Sequence, residues 1–269
     1  MKVQPERSVW RRGALALLLT TAVLASPSAR NHALESHGAH AGVHGDDKGL
    51  SLLTNGHHAD IVQYELDPQT QAALDGQLEL SRQVARQYPT VADAEAAGYR
   101  RAGPYSPGLG AHYIKMGLPE VNADGVLDRE DLLHPLAIIY DGTAPDSQVA
   151  GFMYYSMSKT EPQGFAGPND VWHYHERLCL KFGPSGQIDA PFGADREATD
   201  AQCAAAGGSI VPVTQWMAHV WSVPGYDDVD GGVFAEVNPG LACSDGTYYV
   251  LPPEEWVDHS LNVCKSEAS

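Results

Sequence analysis

Hydrophobic period is absent from residues 26 to 60 and sets in abruptly after them. In that stretch Gly, Ala, Ser and His alternate with few residues that a core could use. Burial there cannot offset the entropy of ordering the chain, so a disordered tail is expected. Asp67-Pro68 then opens a segment in N-cap and N1 style. Leu74, Leu78, Val84 and Ala85 fall near one face of a helical period, which predicts a helix over 68–87. A second, short helix is expected from Val91 to Ala97 and stops at Gly98, with Thr90 and Asp93 in a capping arrangement.

After Gly103 the texture changes. Pro104-Tyr105-Ser106-Pro107-Gly108-Leu109-Gly110 is turn-rich. Short strand-like runs follow at Leu136 to Tyr140, Gly151 to Met157, Val171 to Phe182, Gln215 to Ser222, Gly232 to Val237 and Thr247 to Leu251, separated by turn residues. One helix interrupts them, capped by Asp195, with Ala198 to Ala206 as its body and Gly207-Gly208 as its stop. The expected fold is α+β: N-terminal helices followed by a mainly antiparallel β-sheet or barrel-like domain, one disulfide-stapled globular unit over residues 61–269.

The first 25 residues stand apart. Lys2, Arg7, Arg11 and Arg12 precede the apolar run Gly13 to Leu24, and Val23-Leu24-Ala25 offers a small-residue cleavage site. This pattern predicts a signal peptide and a secreted or periplasmic destination. The run is shorter than the about twenty residues that span a bilayer, so no stable membrane insertion is expected after cleavage. Without residues 1–25 the chain carries 13 Lys+Arg against 33 Asp+Glu, a formal charge of −20. Such an acidic chain is not expected to bind nucleic acid or anionic membrane surfaces.

Four cysteines in an exported chain predict two disulfides. Of the three possible pairings, Cys179–Cys203 with Cys243–Cys264 closes the shortest loops. The rival reading makes Cys179 a metal ligand, four residues after His175.

The chemistry concentrates in histidine. Six of the twelve histidines (His32, His37, His40, His44, His57 and His58) lie in the tail, where they can gather zinc, copper or nickel loosely or be incidental. The run Trp172-His173-Tyr174-His175-Glu176-Arg177-Leu178-Cys179 is more specific. On a strand, His173 and His175 point to one face with Arg177 and Cys179, and Trp172, Tyr174, Glu176, Leu178, Leu180 and Phe182 point to the other. Two imidazoles side by side are half of a transition-metal site. His112, delivered by a Gly-rich turn, and His219, which alternates with Met217 and Trp221, are candidates for the other half. Neutral imidazole suits zinc or copper, and three histidines with an open position form a common catalytic arrangement. Glu176 points away from the pair unless a bulge re-aims it.

Glu120 to Asp131 imitates a calcium loop, with oxygen-bearing residues at the right intervals around Gly125. Pro119 and Pro135 deny it full flanking helices, and its last position is Asp rather than the usual Glu. A plain Asn-Ala-Asp-Gly turn is expected.

Taken in order, Ala96-Ala97-Gly98-Tyr99, Gly110-Ala111-His112-Tyr113, Trp172 to His175, Leu178-Cys179, His219-Val220-Trp221 and Phe234 to Pro239 through Cys243 resemble a group of uncharacterised exported bacterial proteins. The resemblance covers about residues 70 to 245. It implies that His112, His173, His175 and His219 belong to one unit, and it supplies neither a reaction nor a metal.

Three functions follow as expectations. The first is an exported transition-metal-binding protein for capture or delivery, with zinc or copper held by His112, His173, His175 and His219. The second is a mononuclear metalloenzyme on the same histidines, a zinc hydrolase or lyase or a copper oxidase acting on a small-molecule substrate, with Tyr113, Tyr154 or Asp170 assisting. The third is a metal-free binding domain whose histidines are satisfied by hydrogen bonds.

Overall fold

A computed structural model describes residues 63–115, 124–184, 188–192, 198–229 and 231–243. The expected signal peptide, the His-rich stretch, the start of the calcium-like loop and the strand expected at Thr247 to Leu251 lie outside the described residues.

Helix α1 runs from Pro68 to Gln87. Asp67 Oδ1 accepts from the peptide N–H groups of Gln69 and Thr70 at 2.9 and 3.1 Å, satisfying donors that the first turn leaves over. The helix ends where Pro89 disfavours helical geometry at Tyr88. Its buried face is Leu74, Leu78, Ser81, Val84 and Ala85. Each large apolar side chain so buried contributes about 1.5–3 kcal/mol before entropy is counted. Helix α2, Val91–Ala96, carries the expected capping box between Thr90 and Asp93.

Five antiparallel strands form the main sheet: β1 (Arg100–Arg101), β2 (Ala111–Ile114), β3 (Ala137–Tyr140), β4 (Val149–Ser156) and β8 (Trp216–Val220), in the order β1-β2-β3-β4-β8. Alternation divides its residues between two faces. Ala111, Tyr113, Ile138, Tyr140, Phe152, Tyr154, Ala218 and Val220 join α1 in the larger apolar core. The Tyr154 hydroxyl ties the layers together, lying 2.9 Å from Ser81 Oγ and 2.8 Å from the Leu132 carbonyl. Ala137, Ile139, Met153, Met217 and Trp221 form a second, smaller core on the other face.

A second sheet has the order β6-β5-β7, from β5 (Glu176–Phe182), β6 (Ile188–Asp189) and β7 (Ser209–Val213). Helix α4, Asp200–Ala205, is clipped to it by the Cys179–Cys203 disulfide. Cys243 is also disulfide-bonded, and its expected partner Cys264 lies outside the described residues. The architecture is thus α+β and mainly antiparallel, as two sheets rather than a closed barrel.

Four local expectations are corrected. The N-cap of α4 is Thr199, whose Oγ1 accepts from the Gln202 N–H, and not Asp195. Residues 232 to 237 form turns rather than a strand, because Gly231 and Gly232 take positive φ values of 92° and 78°. Strand β7 was not expected from its sequence. The run Val171 to Phe182 is not one strand: regular pairing begins only at Glu176, and Arg177 next to it has φ 55°. Before it the run has already changed partner, from Met217 of β8 at His173 to Val213 of β7 at Glu176, so one alternation does not carry through. Tyr174, Glu176 and Phe182, expected on a core face, are all exposed. In the calcium-like segment, Asp128 and Asp131 form the capping box of a short helix α3, Arg129–Leu133.

Candidate metal centre

His112 sits on β2 opposite Ile139, which lies opposite Gly151 on β4. His219 sits on β8 opposite Met153. Both histidines therefore stand on the face of the smaller core. Two strands lie between them, and three strand spacings of about 4.8 Å would put β2 and β8 about 14 Å apart in a flat sheet. Yet His112 Nε2 is 3.4 Å from His219 Nε2. The sheet must curl over this face for the two imidazoles to meet.

The loops hold that curl. The segment after residue 232 is anchored to the end of β8, where the Trp221 N–H donates to the Val233 carbonyl (2.8 Å) and Trp221 Nε1 donates to the Ala235 carbonyl (2.6 Å). Its other end is anchored to the turn before β2, where Asn238 N–H donates to the Gly108 carbonyl (2.7 Å) and Gly108 N–H to the Leu241 carbonyl (2.8 Å). One short stretch thus straps the His219 strand to the His112 strand. Gly110 in that turn has φ 72°, and a Cβ there would come within 2.6 Å of the Tyr140 carbonyl oxygen, so only glycine delivers His112 by this path.

His173 and His175 arrive along the outer edge of β8. His173 donates its peptide N–H to the Met217 carbonyl at 2.9 Å and accepts from the Met217 N–H at 2.8 Å. Thr214 holds the backbone of His175 twice: its N–H donates to the His175 carbonyl (2.8 Å), and its Oγ1 accepts the His175 N–H (2.8 Å). Beyond that clamp, Glu176 begins the second sheet, and Arg177 makes an exposed ion pair with Asp200 at 2.8 Å.

The four imidazoles form one continuous chain of ring contacts. Ring centroids are 5.6 Å apart for His112–His219, 5.3 Å for His219–His173 and 5.3 Å for His173–His175. His173, His175 and His219 are buried, and His112 is half-buried. Bonds of about 2.0–2.1 Å from a tetrahedral ion place two ligand nitrogens about 3.4 Å apart and their ring centres about 5 Å apart. The His112–His219 nitrogen distance and the three adjoining ring separations are of this size. The His112–His219 contact is also longer than the about 2.7–3.2 Å usual for an N–H hydrogen bond. Among the described residues, no group of three or more His, Cys, Asp or Glu is placed so that it could hold a metal ion.

The surroundings are apolar and shaped. Trp221 stacks on His219, with centroids 5.8 Å apart and planes at 28°. Met153 and Met217 lie on the same face, opposite His219 and His173 respectively. Glu236, whose side chain is buried, lies in the middle of the strap. Sequence reasoning placed Met217 and Trp221 beside His219 but missed Gly151, Thr214 and the burial of Glu236, because each depends on a partner distant in the chain.

Other candidates fall elsewhere. Cys179 is in the disulfide and is not a ligand. Glu176 is exposed. Tyr113 and Tyr154 point into the larger core, on the opposite face of the sheet. Asp170 is engaged away from the imidazoles, accepting on Oδ2 from Trp172 Nε1 and the Phe165 N–H, both at 2.8 Å. His134 closes α3 with Nδ1 2.8 Å from the Glu130 carbonyl oxygen, and His259 lies outside the described residues.

Compared with family models, with curated proteins and with solved structures, the chain matches none of them.

Proposed function

We propose that this protein binds one transition-metal ion, zinc or copper, through His112, His173, His175 and His219, and that it captures and retains the ion outside the cytoplasm. The observation that carries the reading is the 3.4 Å approach of His112 Nε2 to His219 Nε2 across a curled sheet. A sheet has no packing reason to bring two polar rings from strands this far apart into nitrogen-to-nitrogen contact, whereas a shared ion does. Burial of three of the four rings favours retention over rapid exchange, and half-buried His112 marks the side from which an ion would enter. Export, an expectation from the N-terminal sequence, agrees with a disulfide-bonded fold. Among the described residues no helix is long and apolar enough to cross a membrane. An enzymatic use of the same ion would need an open coordination position on the His112 side.

The test is metal content by elemental mass spectrometry on the full exported chain beside a His173→Ala/His175→Ala variant. Both carry the same tail, so the difference between them reports the buried site alone. One equivalent of a single metal present in the first and lost in the second is expected. Equal metal in both would overturn the reading.

A further inference from the structure

We infer that the ion this site is built for is monovalent copper, Cu(I), with the thioether of Met217 as a ligand beside the imidazoles. The inference rests on the metal reading above and sharpens it. Met217 and His173 exchange both peptide hydrogen bonds, at 2.9 and 2.8 Å, and form an antiparallel pair whose side chains leave on the same face. His219 stands two residues further along β8, on that face again. Met217 thus borders both of the imidazoles whose centroids are 5.3 Å apart, and it is itself only 5% exposed. Met153, 8% exposed, stands directly across from His219. Thioether sulfur selects Cu(I), whereas zinc is served by imidazole, thiolate and carboxylate.

Charge points the same way. Imidazole and thioether ligands are neutral, and the site is buried. The cost of moving an ion out of water rises with the square of its charge, so a divalent ion is penalised about four times as heavily as a monovalent one.

The experiment is a pair of anaerobic competition titrations on the full chain, one with Cu(I) against bicinchoninate and one with Zn(II) against a chromophoric zinc chelator. They are run on the unmodified protein, on Met217→Leu, and on His173→Ala/His175→Ala. Leucine keeps the apolar volume at position 217 and removes only the sulfur. Met217→Leu is expected to weaken Cu(I) by at least about tenfold, the scale on which metal-site partners act, and to leave Zn(II) unchanged. X-ray absorption at the copper edge is expected to show a sulfur scatterer that Met217→Leu removes and Met153→Leu retains. Should Met217→Leu fail to fold, the spectrum of the unmodified protein decides: sulfur in the copper shell supports the proposal, and a nitrogen-only shell overturns it. Zn(II) held at the site with Cu(I) rejected, or Cu(I) indifferent to Met217→Leu, overturns this inference and leaves the metal reading standing. Neither ion responding to the double histidine variant overturns both.

Discussion

Trp221 occupies the space that a side chain at Gly151 would need. A Cβ at Gly151 would come 2.5 Å from Cε3 of the indole and 2.9 Å from the Val220 carbonyl oxygen. The same indole stacks on His219 and donates to the Ala235 carbonyl at 2.6 Å, so it is held on three sides. Gly151→Ala must therefore displace either the indole or the strand. A loss of about 1–3 kcal/mol is expected, as for other overpacked core positions. Urea unfolding followed by tryptophan fluorescence measures it, and an unchanged midpoint would show that the strand yields freely.

His219 touches both His112 and His173, while His175 stands at the end of the chain of rings. Removing His219 takes away one proposed ligand and breaks the chain of ring contacts between His112 and His173. Metal bound only by the folded state raises its stability by about 4 kcal/mol at a free concentration one thousand times Kd, whereas metal bound equally by the folded and unfolded chain adds nothing to the unfolding midpoint. Thermal unfolding with and without added metal therefore isolates the folded site. A clear rise in midpoint is expected for the unmodified protein and none for His219→Ala. A rise of equal size in both would remove His219 from the ligand set.

Much of the helical part was legible because its signals are local. Asp67-Pro68 and the spacing of Leu74, Leu78 and Val84 fixed α1 to the residues observed, and Thr90 with Asp93 fixed the start of α2. The positions of β3, β4 and β8 were also legible, but their partners were not. Nothing in the composition of β8 says that it pairs with β4 after the chain has built a second sheet, and that crossover is what brings His219 within reach of His112. The long strand expected at 171–182 failed between His173, which pairs with Met217 of β8, and Glu176, which pairs with Val213 of β7, a change of partner for which the sequence carries no mark. His173 and His175 nevertheless keep a common environment, because Met217 on β8 and Thr214 just before that strand hold their backbones.

The disulfide acts on the second sheet alone. Cys179 on β5 and Cys203 in α4 are 24 residues apart in sequence, and their sulfurs lie in a small cluster with Phe192 and Ala198. Closing a loop of this length restricts the unfolded chain by about 3–4 kcal/mol. Cys179→Ala/Cys203→Ala is expected to lower stability by about that amount and to raise amide exchange first in β5, β7 and α4. Hydrogen exchange with mass spectrometry reads the pattern. Faster exchange spread evenly into β2, β3 and β4 would mean that the two sheets unfold as one.

Asp170 gives the fold a pH dependence of unusual sign for a carboxylate. Burial pushes its pKa up to about 6, against the opposing effect of hydrogen bonds from Trp172 Nε1 and the Phe165 N–H. Between about pH 4 and pH 6 the folded chain holds this proton and the unfolded chain has lost it, so stability falls as pH rises through that window. The difference in proton affinity corresponds to about 3 kcal/mol. Asp67, Glu79 and Asp128 act in the other direction. Their pKa values are lowered, by Thr70, by Arg86 and by the Asp131 N–H respectively, so what they contribute is lost only as pH falls below the ordinary carboxylate range. Asp170→Asn keeps an oxygen for both donors and removes the buried charge. It is expected to stabilise the protein by about 1–2 kcal/mol at pH 7, after the cost of burying the new amide, and to flatten stability between pH 4 and pH 6. Gly164 packs directly against this pair: a Cβ there would collide with the Asp170 carboxylate and with Trp172 Nε1. Urea midpoints measured at half-unit steps from pH 4 to pH 7 in both proteins make the comparison. Parallel curves would mean that Asp170 carries no buried charge.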